Sequence, residues 1–423
     1  MKISSLFHAE KSGKFKKESK SAKIKTNNKL YTSFIASNNI IPKNKKKSYK
    51  NSKYLKNRLI PEEGRPVRGK SKKNEKKNEN VSNIVTIKND NNKNANKINI
   101  QHFKDLVNDS YSFCYLDSTF IVFKSFDDIL YVIYTNKNIS IISYDLIDNK
   151  KINTIKKAHD NYITNFRHYL DINNKRDLII SISCHDNNIK LWDVSSWNCL
   201  HNFNNIYKAG QLFSACFLND KNKNQIFIAS GNSNFDNSDY IKILDLQGNK
   251  LQEINDSNDN IFFIDNYYDE FRYKNYIITG NFGYVKSFDY INNKLYHKYN
   301  ENDNRAHYSV IINDNQGDTQ LLESSYDGDV RIWHFHSGDL LKKINVLSEI
   351  YNICSWGDDY LFVGCKNGML KLINLQNGET VQNLMEHTKS VLTIKKIGHP
   401  IYGECLITQG NDQRIILWVN QSL

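Results

Sequence analysis

Residues 186–193 read Asp-Asn-Asn-Ile-Lys-Leu-Trp-Asp, a polar turn that hands over to a short strand. The strand interior recurs along the chain as Ile-Lys-Leu-Trp (189–192), Ile-Lys-Ile-Leu (241–244), Val-Arg-Ile-Trp (330–333) and Leu-Lys-Leu-Ile (370–373). Apolar residues stand one and three positions before the last residue and a base stands two before it, an alternation that gives a strand two different faces. A turn precedes each strand, among them Asp327-Gly328-Asp329, Lys366-Asn367-Gly368 and Asn411-Asp412-Gln413. Asp-Gly and Asn-Gly supply the positive φ that a tight hairpin requires.

Working outward, the strands that end in a large residue finish at Tyr144, Trp192, Leu244, Phe288, Trp333, Ile373 and Trp418, with separations of 48, 52, 44, 45, 40 and 45 residues. Such regularity marks a repeat architecture. Another hydrophobic strand lies ahead of each turn, as in Leu178–Ser183, Tyr276–Thr279, Tyr360–Val363 and Cys405–Thr408. Each period therefore holds about four strands, and seven periods predict a ring of small antiparallel sheets.

Trp192-Asp193, Trp333 and Trp418, the acids Asp186, Asp327 and Asp412 six positions before them, and the upstream Ala158-His159, Ala306-His307 and Glu386-His387 resemble WD-repeat units. The resemblance implies an all-β chain, a seven-bladed β-propeller of four-stranded antiparallel sheets over residues 101–423, in which four repeats replace the Trp and His. It further implies a buried hydrogen-bonded chain in each well-formed repeat: His387, Thr408, Asp412 and Trp418; His159, Asp186 and Trp192 with a nearby Ser; and His307, Asp327 and Trp333 with Ser325. Satisfying buried polar atoms is a structural role, since each unpaired one costs about 1–3 kcal/mol. The blades are expected within 118–157, 161–203, 211–254, 261–300, 307–345, 349–385 and 390–419, the last without its outer strand. That strand is expected from the N-terminal side, from Ile98–Phe103 or Tyr111–Leu116, with the second favoured. Partners of similar propellers dock beside the residue before the turn acid, here His185, Tyr326 and Asn411, with Gly280 and Lys366 at the degenerate turns.

Charge divides the chain. Residues 1–100 carry 27 basic and 7 acidic side chains, whereas the whole chain has 58 and 45. Lys, Asn and Ser dominate that first segment, with dense basic runs at Lys43–Lys47 and Lys70–Lys77, and it reads as a disordered basic tail. The short stretch Ile84–Ile87 is suited to pair as a strand on something else. No secretory signal opens the chain and no apolar run approaches the length of a spanning helix, so an intracellular protein of cytoplasm or nucleus is expected, with no membrane as partner and free, mostly buried cysteines.

Rival chemistries find little support. Gly64–Ser71 satisfies the phosphate-loop pattern, yet no apolar strand precedes it and no apolar helix follows. His334 and His336 would point to one side of a strand, without a third ligand nearby. The pairs Asp127-Asp128 and Asp358-Asp359 belong to turns. No cofactor or catalytic set is expected. The resulting expectation is a non-enzymatic scaffold or adaptor that presents peptide-binding loops to other proteins. The alternative is a nuclear or nucleolar assembly factor whose tail contacts RNA or another acidic partner. A ubiquitin-ligase adaptor ranks third, because no F-box-like helical segment accompanies the blades.

Overall fold

A computed structural model describes residues 98–112, 120–207, 211–220, 225–233, 240–254, 260–281, 283–300, 306–313 and 318–421. Among these, twenty-eight strands form seven four-stranded antiparallel sheets. The disordered reading of the tail falls on residues 1–97, outside the described residues. Six blades use consecutive strands, over 120–155, 165–203, 211–254, 263–299, 306–345 and 350–384. The seventh takes three strands from 391–420 and its outermost from Ile100–Val107.

That closing strand corrects the favoured expectation. Ile100–Val107 pairs with Ile415–Asn420, Ile100 opposite Asn420 and Val107 opposite Ile415. Tyr111–Leu116 would have left the connection to blade one almost no slack. From residue 116 the chain would have four steps, about 14 Å, to reach Phe120 on the inner edge of blade one, and three strand spacings alone consume about 14 Å. The observed strand also buries the right residues. Ile100 joins Trp418, Leu406 and Val391, and Val107 joins Phe120 and Ile407, while the side chains between them are mostly exposed.

The apolar core lies between blades. Leu322 and Val330 of blade five pack with Ile350, Ile353 and Val363 of blade six. Phe120, Leu130 and Val132 of blade one pack with Cys405, Ile407 and Ile415 of blade seven. Alternation along each strand sends its side chains to the blade before and the blade after, so the ring is held by sheet-on-sheet burial. Cysteines 216, 354, 365 and 405 are buried free thiols in these layers, Cys184 is a buried free thiol outside them, and Cys199 is exposed. Burial pushes Cys354 and Cys405 up to about 11, which leaves them unreactive.

Strand direction defines two faces. Turns between the second and third strands, and the loops that enter each innermost strand, share what we call the upper face. The other two turns of every blade share the lower face. Gly328 and Gly368 hold the upper turns with φ of 89° and 86°, as their Asp-Gly and Asn-Gly contexts predict.

Candidate functional site

The upper face is fixed by hydrogen-bonded chains at repeat spacing. In blade seven the indole Nε1–H of Trp418 donates to Thr408 Oγ1 at 2.8 Å. Thr408 Oγ1 lies 2.8 Å from His387 Nε2, and His387 Nδ1 lies 3.0 Å from Asp412 Oδ1. A carboxylate only accepts, so Nδ1 carries a proton, and with a neutral ring the threonine hydroxyl donates to Nε2. Burial would raise the Asp412 carboxyl, but hydrogen bonds from His387 and from the Thr388 and Arg414 amides outweigh it and hold the carboxyl below its ordinary range. Gly410 makes room, since a Cβ there would collide with His387 Nδ1 and Asp412 Oδ1.

Blade two is a looser version. Trp192 Nε1 donates to Ser181 Oγ at 2.8 Å, and Ser181 Oγ lies 2.7 Å from His159 Nε2. His159 Nδ1 stops 3.8 Å short of Asp186 Oδ2, which instead accepts the Asp160 and Asn161 amides at 3.0 and 2.9 Å. Burial, helped by nearby Lys190, pushes the His159 imidazole down to about 3.

Blade five departs from expectation. The Trp333 indole donates to Glu323 Oε2 at 3.0 Å, not to Ser325. Register explains why. Glu323 sits two residues past Leu321, the partner of Trp333, as Thr408 sits two past Leu406, the partner of Trp418. Asp327 accepts Arg331 Nη2 at 2.6 Å. The side chain of His307 lies outside the described part of the structure. Blade three substitutes Tyr207 for the histidine, its hydroxyl donating to Ser230 O at 2.7 Å.

The recurrent strand base has a task that sequence reasoning left unassigned. Lys190, Lys242 and Lys371 donate to the carbonyls of Ala158, Ile206 and Val346 at 2.7, 2.8 and 2.6 Å. Arg414, from a different strand position, donates to Glu386 O. Each accepting residue stands one before the histidine position of its loop, so the base satisfies a carbonyl that the loop cannot pair internally. The single base two positions before the last residue of each recurring strand interior was the visible signal.

At the axis, Phe213, Phe262, Tyr351 and Leu392 meet in one cluster with Cys184, all buried. They come from where blades three, four, six and seven enter their innermost strands, and four blades can share a contact only at the axis. A register shift at the strand start puts Phe213, Tyr351 and Leu392 out of the pairing sequence. The cluster lies at the upper end of the axis, where the innermost strands begin.

Tyr326 is half-buried against this cluster. Lys366 Nζ lies 3.4 Å from its hydroxyl and 5.6 Å from its ring centroid, and 2.7 Å from Glu349 Oε1. Asn411 is one residue removed: its amide donates to Ser390 O at 2.9 Å, and Ser390 Oγ donates to Lys366 O at 2.8 Å. His185 is exposed in blade two, next to Cys184 of the cluster. The structure thus brings Tyr326, Lys366 and Asn411 into one sector and leaves His185 on another blade. Gly280, the remaining turn position, is buried against Phe263.

Other upper-face groups had no signal in the repeat pattern. Tyr111 and Tyr162 pair at 5.3 Å between centroids, and Lys298 Nζ stands 3.8 Å over Tyr284. Leu347, at the histidine position of its repeat, is 88% exposed with a φ of 58°.

His334 and His336 lie toward the lower face and do not cooperate. His334 Nδ1 lies 2.8 Å from Ser337 Oγ, whereas His336 lies 2.8 Å from Arg272 Nη1 and 3.2 Å from Tyr296 OH. Burial and the Arg272 charge push His336 down to about 4. Among the described residues no three His, Cys, Asp or Glu side chains could hold a metal ion, and no helix is long and apolar enough to cross a membrane. No model of a known protein family matches this chain, and no curated protein matches its sequence.

Proposed function

We propose that the chain is a WD-repeat-type propeller acting as a non-enzymatic interaction scaffold, which binds a segment of another protein on its upper face. The observation that carries this reading is the apolar cluster at the upper end of the axis, against which Tyr326 packs. Phe213, Phe262, Tyr351 and Leu392 form a rigid floor, and half-buried Tyr326 stands on it beside the Lys366–Glu349 ion pair. An anchored aromatic next to an adjustable charge pair suits a mixed, peptide-like epitope. The non-enzymatic part is supported by what the His–Asp pairs do, which is to bond strand hydroxyls and loop amides at repeat spacing.

The test is affinity capture with the full chain, Tyr326→Ala and Lys366→Glu, each checked by thermal melting. Both variants should lose the specifically captured protein while melting within a degree or two of wild type, as surface changes of this kind do. An unchanged captured set from both variants removes the reading.

A further inference from the structure

The lower face carries features that the upper-face reading does not use. In its sector around blades seven and one, the turn tips raise Ile401 (70% exposed) and Phe126 (42% exposed) into solvent. Acids surround them. Lys124 pairs with Asp128 and Lys396 with Glu404, but Asp127 and, on blade six, Asp358 have no ion pair among the described residues.

The chain reaches this sector from its basic end. Ile100 pairs with Asn420, at the lower end of blade seven, so residues 1–97 join the propeller from the lower face. They hold all 27 basic side chains of the first hundred residues, and residues 98–423 hold 31 basic against 38 acidic. Ile84-Val85-Thr86-Ile87 is the β-branched run of that segment, and six lysines lie within 70–88. Ile87 is eleven residues from Ile98, which allows a reach of up to about 36 Å, enough to cross neighbouring blades.

We propose that residues 70–88 dock on the lower face across blades seven and one. Ile84, Val85 and Ile87 cover Ile401 and Phe126, and the lysine run faces the unpaired acids. Two features select this occupant, the point where the segment joins the fold and its charge opposite to that of the surface, and its β-branched run supplies the apolar cover for Ile401 and Phe126. A flat anionic lipid surface fits less well, because the acids would oppose it. The lower-face assignment is independent of the upper-face binding proposed above.

A benzophenone amino acid in place of Ile401, in the full chain at concentrations where it is monomeric, tests the contact. Irradiation should give an intrachain crosslink that maps to residues 70–88. The combined substitutions Ile84→Asp, Val85→Asp and Ile87→Asp should lower its yield about tenfold or more, since one buried apolar side chain already changes association by about that factor. Asp127→Lys should lower it further, and both variants should keep the melting temperature. Crosslinks between isotopically distinct copies, crosslinks elsewhere in the chain, absence of a crosslink to protein, or a yield indifferent to the triple substitution would each overturn the proposal.

Discussion

Thr408→Val isolates the hydrogen-bonded chain of blade seven from its packing. Thr408 is fully buried, and its hydroxyl oxygen holds the Trp418 indole and the His387 imidazole, each at 2.8 Å. Valine keeps the branched shape and removes only the oxygen. One buried N–H donor and one ring nitrogen then lose their partner, at about 1–3 kcal/mol each. The added methyl recovers under about 1 kcal/mol, so the net loss is about 1–5 kcal/mol, centred near 3. Thr408→Ser keeps both bonds and loses one methyl, a cost of about 1 kcal/mol including the small cavity. The expected order of stability is therefore wild type, then serine, then valine. Urea unfolding followed by tryptophan fluorescence gives the ranking, and amide exchange across 391–420 shows whether the loss is local to blade seven. A valine variant as stable as the serine variant would refute the reasoning, because satisfaction of these groups would then contribute nothing. Pairing Thr408→Val with Trp418→Phe should cost less than the sum of the two, since the second change removes one of the orphaned donors.

Two further outcomes follow from the same geometry. The folded pKa of His159 is about 3, below the ordinary 6.5, so this group contributes fully above about pH 6.5 and its contribution is lost as pH falls toward 3. The full loss is on the order of 5 kcal/mol, and His159→Gln should flatten the pH dependence of the urea midpoint across that window. Arg414 grips Asp105 of the closing strand at 2.7 and 2.9 Å, and this hydrogen bond first of all holds the Asp105 carboxyl low. Asp105→Ala should cost no more than about 1 kcal/mol globally, since the pair is partly exposed. It should still speed amide exchange in Ile100–Val107 more than in any other strand of that blade.

How much of this was legible beforehand can be read from particular residues. The strand bases at Lys190, Lys242 and Lys371 stood out in the alternation, but the carbonyls they satisfy belong to loops 25–36 residues away in sequence. Ser325 offers the hydroxyl that the repeat pattern calls for, yet it is not the acceptor. A carboxylate two positions earlier meets the Trp333 indole because pairing register, not side-chain type, selects the acceptor. Chain length favoured the earlier closing strand, since Ile100–Val107 leaves twelve residues before Phe120 and Tyr111–Leu116 leaves three.

The sequence by itself determined the repeat: seven periods, four strands in each, turns at Asp-Gly and Asn-Gly, and a missing outer strand in the last. These follow from local alternation and turn chemistry, which act over a few residues and are written in order along the chain. Only the tertiary structure decided that Phe213, Phe262, Tyr351 and Leu392 meet at the axis, that Tyr326 rests on them beside Lys366, and that the basic segment joins at the lower face. Ring closure places residues from four blades at one axis, and no periodicity along a chain encodes which side chains meet where the periods converge.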